Sequence, residues 1–192
     1  WYALYRPPLR GYAFLWVVMV VSAVLVLLSV VVVQIPLQAL AGMAISGAFD
    51  QATINTWIYI LGIPQIALSG FVQEGAKLLP TVFIWQRSDR SLSPKVGLII
   101  GAAAGVGFGA FEAMWALNQA YAGGWTIASL QDGFQAMTPL WERFWVVAGH
   151  TAFGALAGYG LATDRGWQFY LIAAGLHSLM NYTLVLLQAG LV

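Results

Sequence analysis

The sequence predicts an all-α fold, a polytopic bundle of transmembrane helices, and three features of its composition point to that architecture. Of the 192 residues, 60% are hydrophobic and only 8% are charged, whereas charged residues make up about 25% of a soluble domain. The mean hydropathy is +0.78. Several apolar runs also exceed the ~18 residues that indicate a spanning helix. These features exclude a soluble globular domain, a disordered chain and a coiled coil.

Net charge and cysteine content narrow the possible functions further. A net charge of +1 offers no basic surface, so we expect no nucleic-acid partner. With no cysteine, the chain has no disulfide framework, thiolate metal site or thiol nucleophile. Any catalysis must therefore use Ser, Thr, Tyr, His, Lys or carboxylates, and the lipid bilayer is the first partner that the composition predicts.

The first apolar run, residues 12–35, contains no charge and is followed by Pro36. We expect it to be a spanning helix that ends at this proline and serves as an anchor. Residues 36–55 are mixed in character and suit a connection outside the membrane, part of it an interfacial helix. The connection leads into the second apolar stretch.

The second stretch, residues 56–85, is longer than a straight helix needs to cross the ~30 Å hydrocarbon core. It must tilt, kink or break, and Gly62 with Pro64, Gly70 and Pro80 are the candidate break points. The polar, basic segment 86–95 then forms a loop.

Three further spans are predicted after that loop, at residues 96–120, 141–163 and 168–192. The first of them carries four closely spaced glycines, which predict close packing against neighbouring helices. A glycine-rich connection at 123–139 separates it from the next span. The count is about five spans, one of them long and kinked.

Lysine and arginine in the loops predict which end of each span is cytoplasmic. Successive loops alternate between the two sides of the membrane, and six of these residues lie on the side of the N-terminus while one lies on the other. Because cytoplasmic loops are enriched in lysine and arginine, this count predicts a cytoplasmic N-terminus. The six are Arg6, Arg10, Arg87, Arg90, Lys95 and Arg165, against Arg143. We expect one integral membrane domain over 1–192, with the anchor at 12–35 and a catalytic-type bundle at 56–192.

Five ionisable side chains lie inside these spans, where each costs at least ~2.5 kcal/mol on insertion scales and usually marks function. They are Glu74, Lys77, Glu112, His150 and His177. Counting residues from the span ends puts the two histidines near mid-membrane and the two glutamates within a few turns of that level. One polar cluster is therefore geometrically possible, and it could activate water, stabilise an oxyanion or bind Zn²⁺.

Each of these residues also has a purely structural interpretation. Glu74 and Lys77 are spaced i,i+3 and could be an ion pair that stabilises a helix break. His150 could be a hydrogen-bonded packing residue. Asn181, one turn from His177, could join two helices. The conjunction of all of them in one membrane layer favours a functional site.

The residues stand in four short motifs, in chain order, on four successive spans. They read Gln73-Glu74-Gly75-Ala76-Lys77, Phe108-Gly109-Ala110-Phe111-Glu112, Gly149-His150-Thr151 and His177-Ser178-Leu179-Met180-Asn181. This pattern resembles the PrsW family of intramembrane proteases, with its EExxK and FxxxE motifs and two downstream histidines. The resemblance covers roughly 64–182, leaves the first span outside, and extends distantly to the CAAX prenyl proteases.

The resemblance implies hydrolysis of a peptide bond in a transmembrane or membrane-proximal protein, with an anti-sigma factor as one substrate class and a prokaryotic plasma membrane as the setting. By analogy, a carboxylate activates water while His177 and Asn181 stabilise the oxyanion. Glu112 and His150 complete the water site or bind a metal. Zn²⁺ is a possible cofactor, with ligands from Glu74, Glu112, His150 and His177, although no HExxH pair is present.

The chain departs from the family pattern at one position, because Gln73 stands where the family has the first of two glutamates. Glutamine cannot act as a general base. If the first glutamate activates water, this chain is an inactivated form; otherwise Glu74 and Glu112 carry the chemistry. A non-catalytic membrane scaffold or receptor on the same fold, and less favourably a proton-coupled transporter, are the alternative functions.

Overall fold

The computed structural model describes residues 12–122 and 137–191, and every regular element within these ranges is helical. The predicted all-α fold is therefore confirmed. In chain order the elements are α1 (Phe14–Leu28), a π-helical segment (Ser29–Gln34), α2 (Ile35–Ala48), α3 (Gln51–Leu61), α4 (Ile63–Arg87), α5 (Pro94–Ala120), α6 (Thr138–Ala162) and α7 (Gly166–Gln188). Most of the predicted glycine-rich connection at 123–139, namely 123–136, and also Arg6 and Arg10 lie outside the described residues. The end of that connection is helical, since α6 begins at Thr138.

The first helix does not end at Pro36, so that expectation is wrong. α1, the π-helical segment and α2 form one helix of 35 residues, Phe14–Ala48. The N–H of Ile35 donates to the carbonyl of Val30, five residues back, so the helix is widened just before the proline. Pro36 then lies in the first turn of α2, where a missing N–H is tolerated.

The connection between α2 and α3 is short, and one acidic side chain in it caps the start of α3. The helix ends where Phe49 adopts extended backbone angles, and Asp50 Oδ1 accepts a hydrogen bond of 2.7 Å from the N–H of Thr53. That bond keeps the pKa of Asp50 below its usual range. Asp50 is thus the N-cap of α3.

The long second stretch breaks at one of the three predicted points. α3 and α4 meet at Gly62 with a bend of 40°, and Pro64 lies in the first turn of α4. Pro80 lies inside α4 without ending it. Gly70 is a packing residue, because a Cβ there would lie 2.2 Å from Ser178 Oγ on α7. The kink is confirmed, and its position follows from the Gly62–Pro64 pair.

Three described helices are long and apolar enough to cross a membrane, or four if the bent pair is one span. They are Phe14–Ala48, Pro94–Ala120 and Gly166–Leu187, with Gln51–Leu61 and Ile63–Arg87 as the bent pair. The structure is therefore a polytopic helical bundle. The fifth span, over α6, and the cytoplasmic N-terminus stay predictions.

Glycines set the distance between α5 and α6, as the sequence predicts. A Cβ on Gly101 would lie 2.1 Å from the carbonyl oxygen of Gly154, and a Cβ on Gly158 would lie 2.3 Å from that of Gly97. The two backbones therefore touch directly. This contact brings the site residues of the two helices within hydrogen-bonding distance.

The first helix is packed into the same bundle through α5. Leu15 and Val18 are buried against Ile100 and Ala104. The hydroxyl of Ser22 donates a hydrogen bond of 2.7 Å to the carbonyl of Ala104. α1 therefore shares a core with α5. This packing determines where the π-helical segment and α2, which continue α1, lie in the bundle.

Candidate active site

Helices α4 to α7 bring the five predicted ionisable side chains into one cluster. Glu74, Lys77, His150 and His177 are each at most 1% exposed. The side chain of Glu112 is 30% exposed. One member of the cluster thus reaches open space, and the other four are enclosed by protein.

Glu74 is the centre of the buried part of the cluster. Its Oε1 accepts from Lys77 Nζ, one helical turn further along α4, and lies 2.7 Å from Nδ1 of His177 on α7. Its Oε2 is buried and has no hydrogen-bond partner. A buried carboxylate with one unsatisfied oxygen is costly, so the site has capacity for a further donor or cation.

His150 joins the buried part to the exposed part. Its Nδ1 lies 2.9 Å from Lys77 Nζ and its Nε2 lies 2.5 Å from Oε2 of Glu112. The lysine ammonium has only donors, so Nδ1 must accept and the ring proton must be on Nε2. Lys77 therefore sets the tautomer with which His150 donates to Glu112.

Aromatic side chains enclose the lysine and the two imidazoles. The rings of His150 and His177 meet edge to face with centroids 4.8 Å apart, and Phe153 stacks on His177. Lys77 Nζ lies 5.2 Å from the centroid of Phe108. Phe153 is absent from the sequence-based site, since one phenylalanine in an apolar span carries no distinguishing pattern.

Gln73 and Asn181 lie beside this cluster. Gln73 is 4% exposed, and its amide donates to Oε1 of Gln34 at 2.9 Å. Asn181 donates to Oγ of Ser69 at 3.1 Å. Sequence reasoning missed Gln34 and Ser69; a lone glutamine at the end of an otherwise apolar run was the available signal for Gln34.

Two cavities meet at this edge of the cluster. One has a volume of about 490 Å³ and the other about 230 Å³, and Gln34, Gln73 and Glu112 line both. Asn181 lines the larger cavity, whereas His177 lines neither. Of the predicted oxyanion pair, only Asn181 therefore lines these two cavities, and the cluster faces open space through Glu112.

The donor atoms fit a metal ion in part. One ligand atom from each of Glu74, His150 and His177 lies within 4.8 Å of the others, and two imidazoles with a carboxylate are a familiar Zn²⁺ ligand set. The unpartnered Oε2 of Glu74 adds a free donor. Glu112 is outside this group and holds the far nitrogen of His150, as carboxylates beside metal-bound histidines do.

A polytopic bundle with carboxylates and histidines buried together between its helices marks a functional site inside the membrane. The chain belongs to the PrsW family of intramembrane proteases, because the family model described as "PrsW family intramembrane metalloprotease" matches residues 10–192. The match includes the first span, which the motifs alone leave outside. Comparisons with curated proteins and with solved structures give no match.

Proposed function

We propose that this chain hydrolyses a peptide bond of a membrane protein and that Glu112 activates the water. The supporting observation is that Glu112 lines both cavities while the other four cluster residues are enclosed. A general base must reach the water it deprotonates. Glu112 meets this condition, and His150 lies directly behind it at 2.5 Å.

The enclosed residues prepare that carboxylate for the reaction. Lys77 holds His150 in the tautomer that donates to Glu112, and Glu74 holds Lys77. Glu112 becomes neutral when it takes a proton from water. The hydrogen bond from His150 Nε2 keeps the Glu112 carboxyl group in position during this change. Asn181 lies in the same cavity, where its amide can donate to the oxyanion.

A Zn²⁺ ion would be held by Glu74, His150 and His177, and when bound it would polarise the peptide carbonyl and acidify a bound water. Lys77 now occupies the Nδ1 side of His150. A metal ion held through this nitrogen would take the place of the Lys77 ammonium, which donates to the same lone pair. Glu112 can keep its bond to Nε2 in either state.

The substrate that fits this site is a transmembrane or membrane-proximal protein that enters from the bilayer. Anti-sigma factors are one such class, and a prokaryotic plasma membrane with a cytoplasmic N-terminus is the setting we propose. Glu112 lies eight residues before the end of α5, and this position supports cleavage within the membrane-spanning part of the bundle.

Gln73 favours a second candidate, a non-catalytic scaffold on the same fold. Position 73 lies beside Glu112 on the cavity wall, where a second carboxylate would be well placed to act as base. Its replacement by an amide removes that basicity. Such a protein would bind membrane proteins at this cavity without cleaving them.

Cleavage of single-span model proteins in proteoliposomes separates the two candidates. The unmodified chain is compared with Gln73→Glu and with Glu74→Gln. Cleavage by the unmodified chain, abolished in Glu74→Gln, supports the protease with Gln73 tolerated. Cleavage by Gln73→Glu alone shows that position 73 is the base and that this sequence is an inactivated form.

A further inference from the structure

A chain of side-chain amides lines the larger cavity and ends on the backbone of α4. Nε2 of Gln73 donates to Oε1 of Gln34 at 2.9 Å. Nε2 of Gln34 donates to Oε1 of Gln38 at 3.4 Å. Nε2 of Gln38 then donates to the carbonyl oxygen of Gln65 at 2.9 Å. All four residues line the same cavity.

The direction of this chain is fixed at its far end. A carbonyl oxygen can only accept, so Gln38 must turn its NH₂ group toward Gln65. Gln38 then offers its oxygen to Gln34, and Gln34 in turn offers its oxygen to Gln73. One N–H of Gln73 is therefore committed to Gln34, and its Oε1 is left buried without a partner.

A second, shorter chain repeats the arrangement across the cavity. The hydroxyl of Ser69 donates to the carbonyl of Ile66 at 2.7 Å, and its oxygen accepts from Nδ2 of Asn181 at 3.1 Å. The fixed carbonyl again sets the direction. Neither hydrogen-bond chain uses the Oδ1 of Asn181, so this oxygen and the buried Oε1 of Gln73 remain as acceptors on two residues that line the same cavity.

Backbone N–H groups of an unwound peptide are the donors that match these acceptors. A spanning helix keeps its N–H groups in its own hydrogen bonds, and a segment that unwinds for cleavage must find new partners, because lipid supplies none. A volume of about 490 Å³ falls in the range of ligand sites. The same cavity reaches Glu112, so a peptide held there would lie beside the water-activating carboxylate.

We propose that this cavity binds an unwound segment of a transmembrane substrate, and that Gln34 and Gln38 are positioning residues that present Gln73 Oε1 to its N–H groups. The inference rests on the proposed function for the identity of the substrate. It adds the backbone as the feature recognised and assigns the first spanning helix a role in recognition.

Binding can be measured apart from cleavage by photo-crosslinking in proteoliposomes. Ile58 lines the cavity and is 48% exposed, so it is replaced by a photo-crosslinking phenylalanine derivative. Two labelled single-span peptides are compared, one all-leucine and one with a proline at mid-span that weakens its helix. Gln34→Leu removes the middle of the amide hydrogen-bond chain. Gln38→Leu removes only the hydrogen bond that ties this amide chain to the carbonyl of Gln65. Gln51→Leu is the matched control, because Gln51 bonds to Asn55 in an exposed pair.

The protein that carries the crosslinker and no other change is expected to capture the proline peptide at least about fivefold better than the all-leucine peptide. A difference of this size corresponds to one additional hydrogen bond or more. Gln34→Leu and Gln38→Leu are expected to lose this preference, and Gln51→Leu to keep it. The inference is overturned if both Gln34→Leu and Gln38→Leu keep the preference for the proline peptide. It is also overturned if the protein that carries only the crosslinker shows no such preference.

The two proposals fail in different ways. If the crosslinking pattern is as expected but neither the unmodified chain nor Gln73→Glu cleaves, the binding inference stands and the proposed hydrolysis is wrong. If the chain cleaves while Gln34→Leu and Gln38→Leu retain the peptide preference, the hydrolysis stands and the inference is wrong.

Discussion

Gly105 lies directly against the backbone of His150, such that a Cβ on Gly105 would stand 2.2 Å from the carbonyl oxygen of His150. The same helix carries Glu112 two turns further on, and its bond to His150 is 2.5 Å long. The glycine contact therefore determines the geometry of the site as well as the packing of α5 on α6.

Gly105→Ala is accordingly expected to lower the free energy of unfolding by about 1–3 kcal/mol, because the added methyl overpacks a backbone contact. Cleavage should fall as well, since α6 must move away from Glu112. Gly175→Ala is the matched control: nothing lies within 4 Å of its Cβ position, and it should stabilise α7 by about 0.5–1 kcal/mol. Thermal unfolding in detergent measures both, and equal effects would contradict the contact.

Lys77→Met is expected to destabilise the protein by about 3–5 kcal/mol, because it removes the cation that compensates the buried charge of Glu74 and leaves only the contact with His177 Nδ1. The exposed Lys95→Met should stay within about 0.5 kcal/mol of the starting protein. The double variant Glu74→Gln with Lys77→Met should recover part of the loss. Unfolding midpoints that show no such recovery would argue against the pair as a buried ion pair.

At the proposed Zn²⁺ site, metal binding should distinguish the residues that would contact the ion from the one that would orient a ligand. Glu74→Gln and His177→Ala are expected to abolish stoichiometric Zn²⁺ in the purified protein. Glu112→Gln should retain it with about 10- to 100-fold weaker affinity, since Glu112 only holds His150. Metal analysis and competition with a chelator measure both. Equal loss in all three variants would place Glu112 among the ligands.

Gln73→Glu is expected to disturb the amide chain, because an ionised carboxylate has no donor for Oε1 of Gln34. Gln34 can turn its NH₂ group toward the new carboxylate only when Gln38 no longer fixes its direction. The double variant with Gln38→Leu should therefore be more stable than the single variant Gln73→Glu, although Gln38→Leu alone removes a hydrogen bond. Additive unfolding energies would show that the two positions are independent.

The sequence predicts the helices and the buried cluster well, for a clear physical reason. Charges in an apolar span must find partners, so Glu74, Lys77, His150 and His177 could be expected to meet once their depths agreed. The closely spaced glycines of α5 likewise predict close packing against a neighbouring helix.

What the sequence does not predict depends on local backbone geometry and on contacts between distant residues. A π-helical turn carries the first helix past Pro36, and no residue pattern in 29–34 indicates it. Asn181 is one turn from His177 in sequence, yet it bonds to Ser69 on another helix. The acceptor left at Gln73 follows from the direction of a hydrogen-bond chain, which only the assembled bundle defines.

The most direct test of Glu112 as the general base is the rate at which Glu112→Gln cleaves a single-span substrate in proteoliposomes, measured beside Glu142→Gln. Glu142 pairs with Arg143 near the start of α6, outside the cluster, and provides the same chemical change. If Glu112 is the base, Glu112→Gln should lose about 10²- to 10⁴-fold in rate while Glu142→Gln keeps it. Equal rates for the two variants, in a background that cleaves, would contradict the assignment of Glu112.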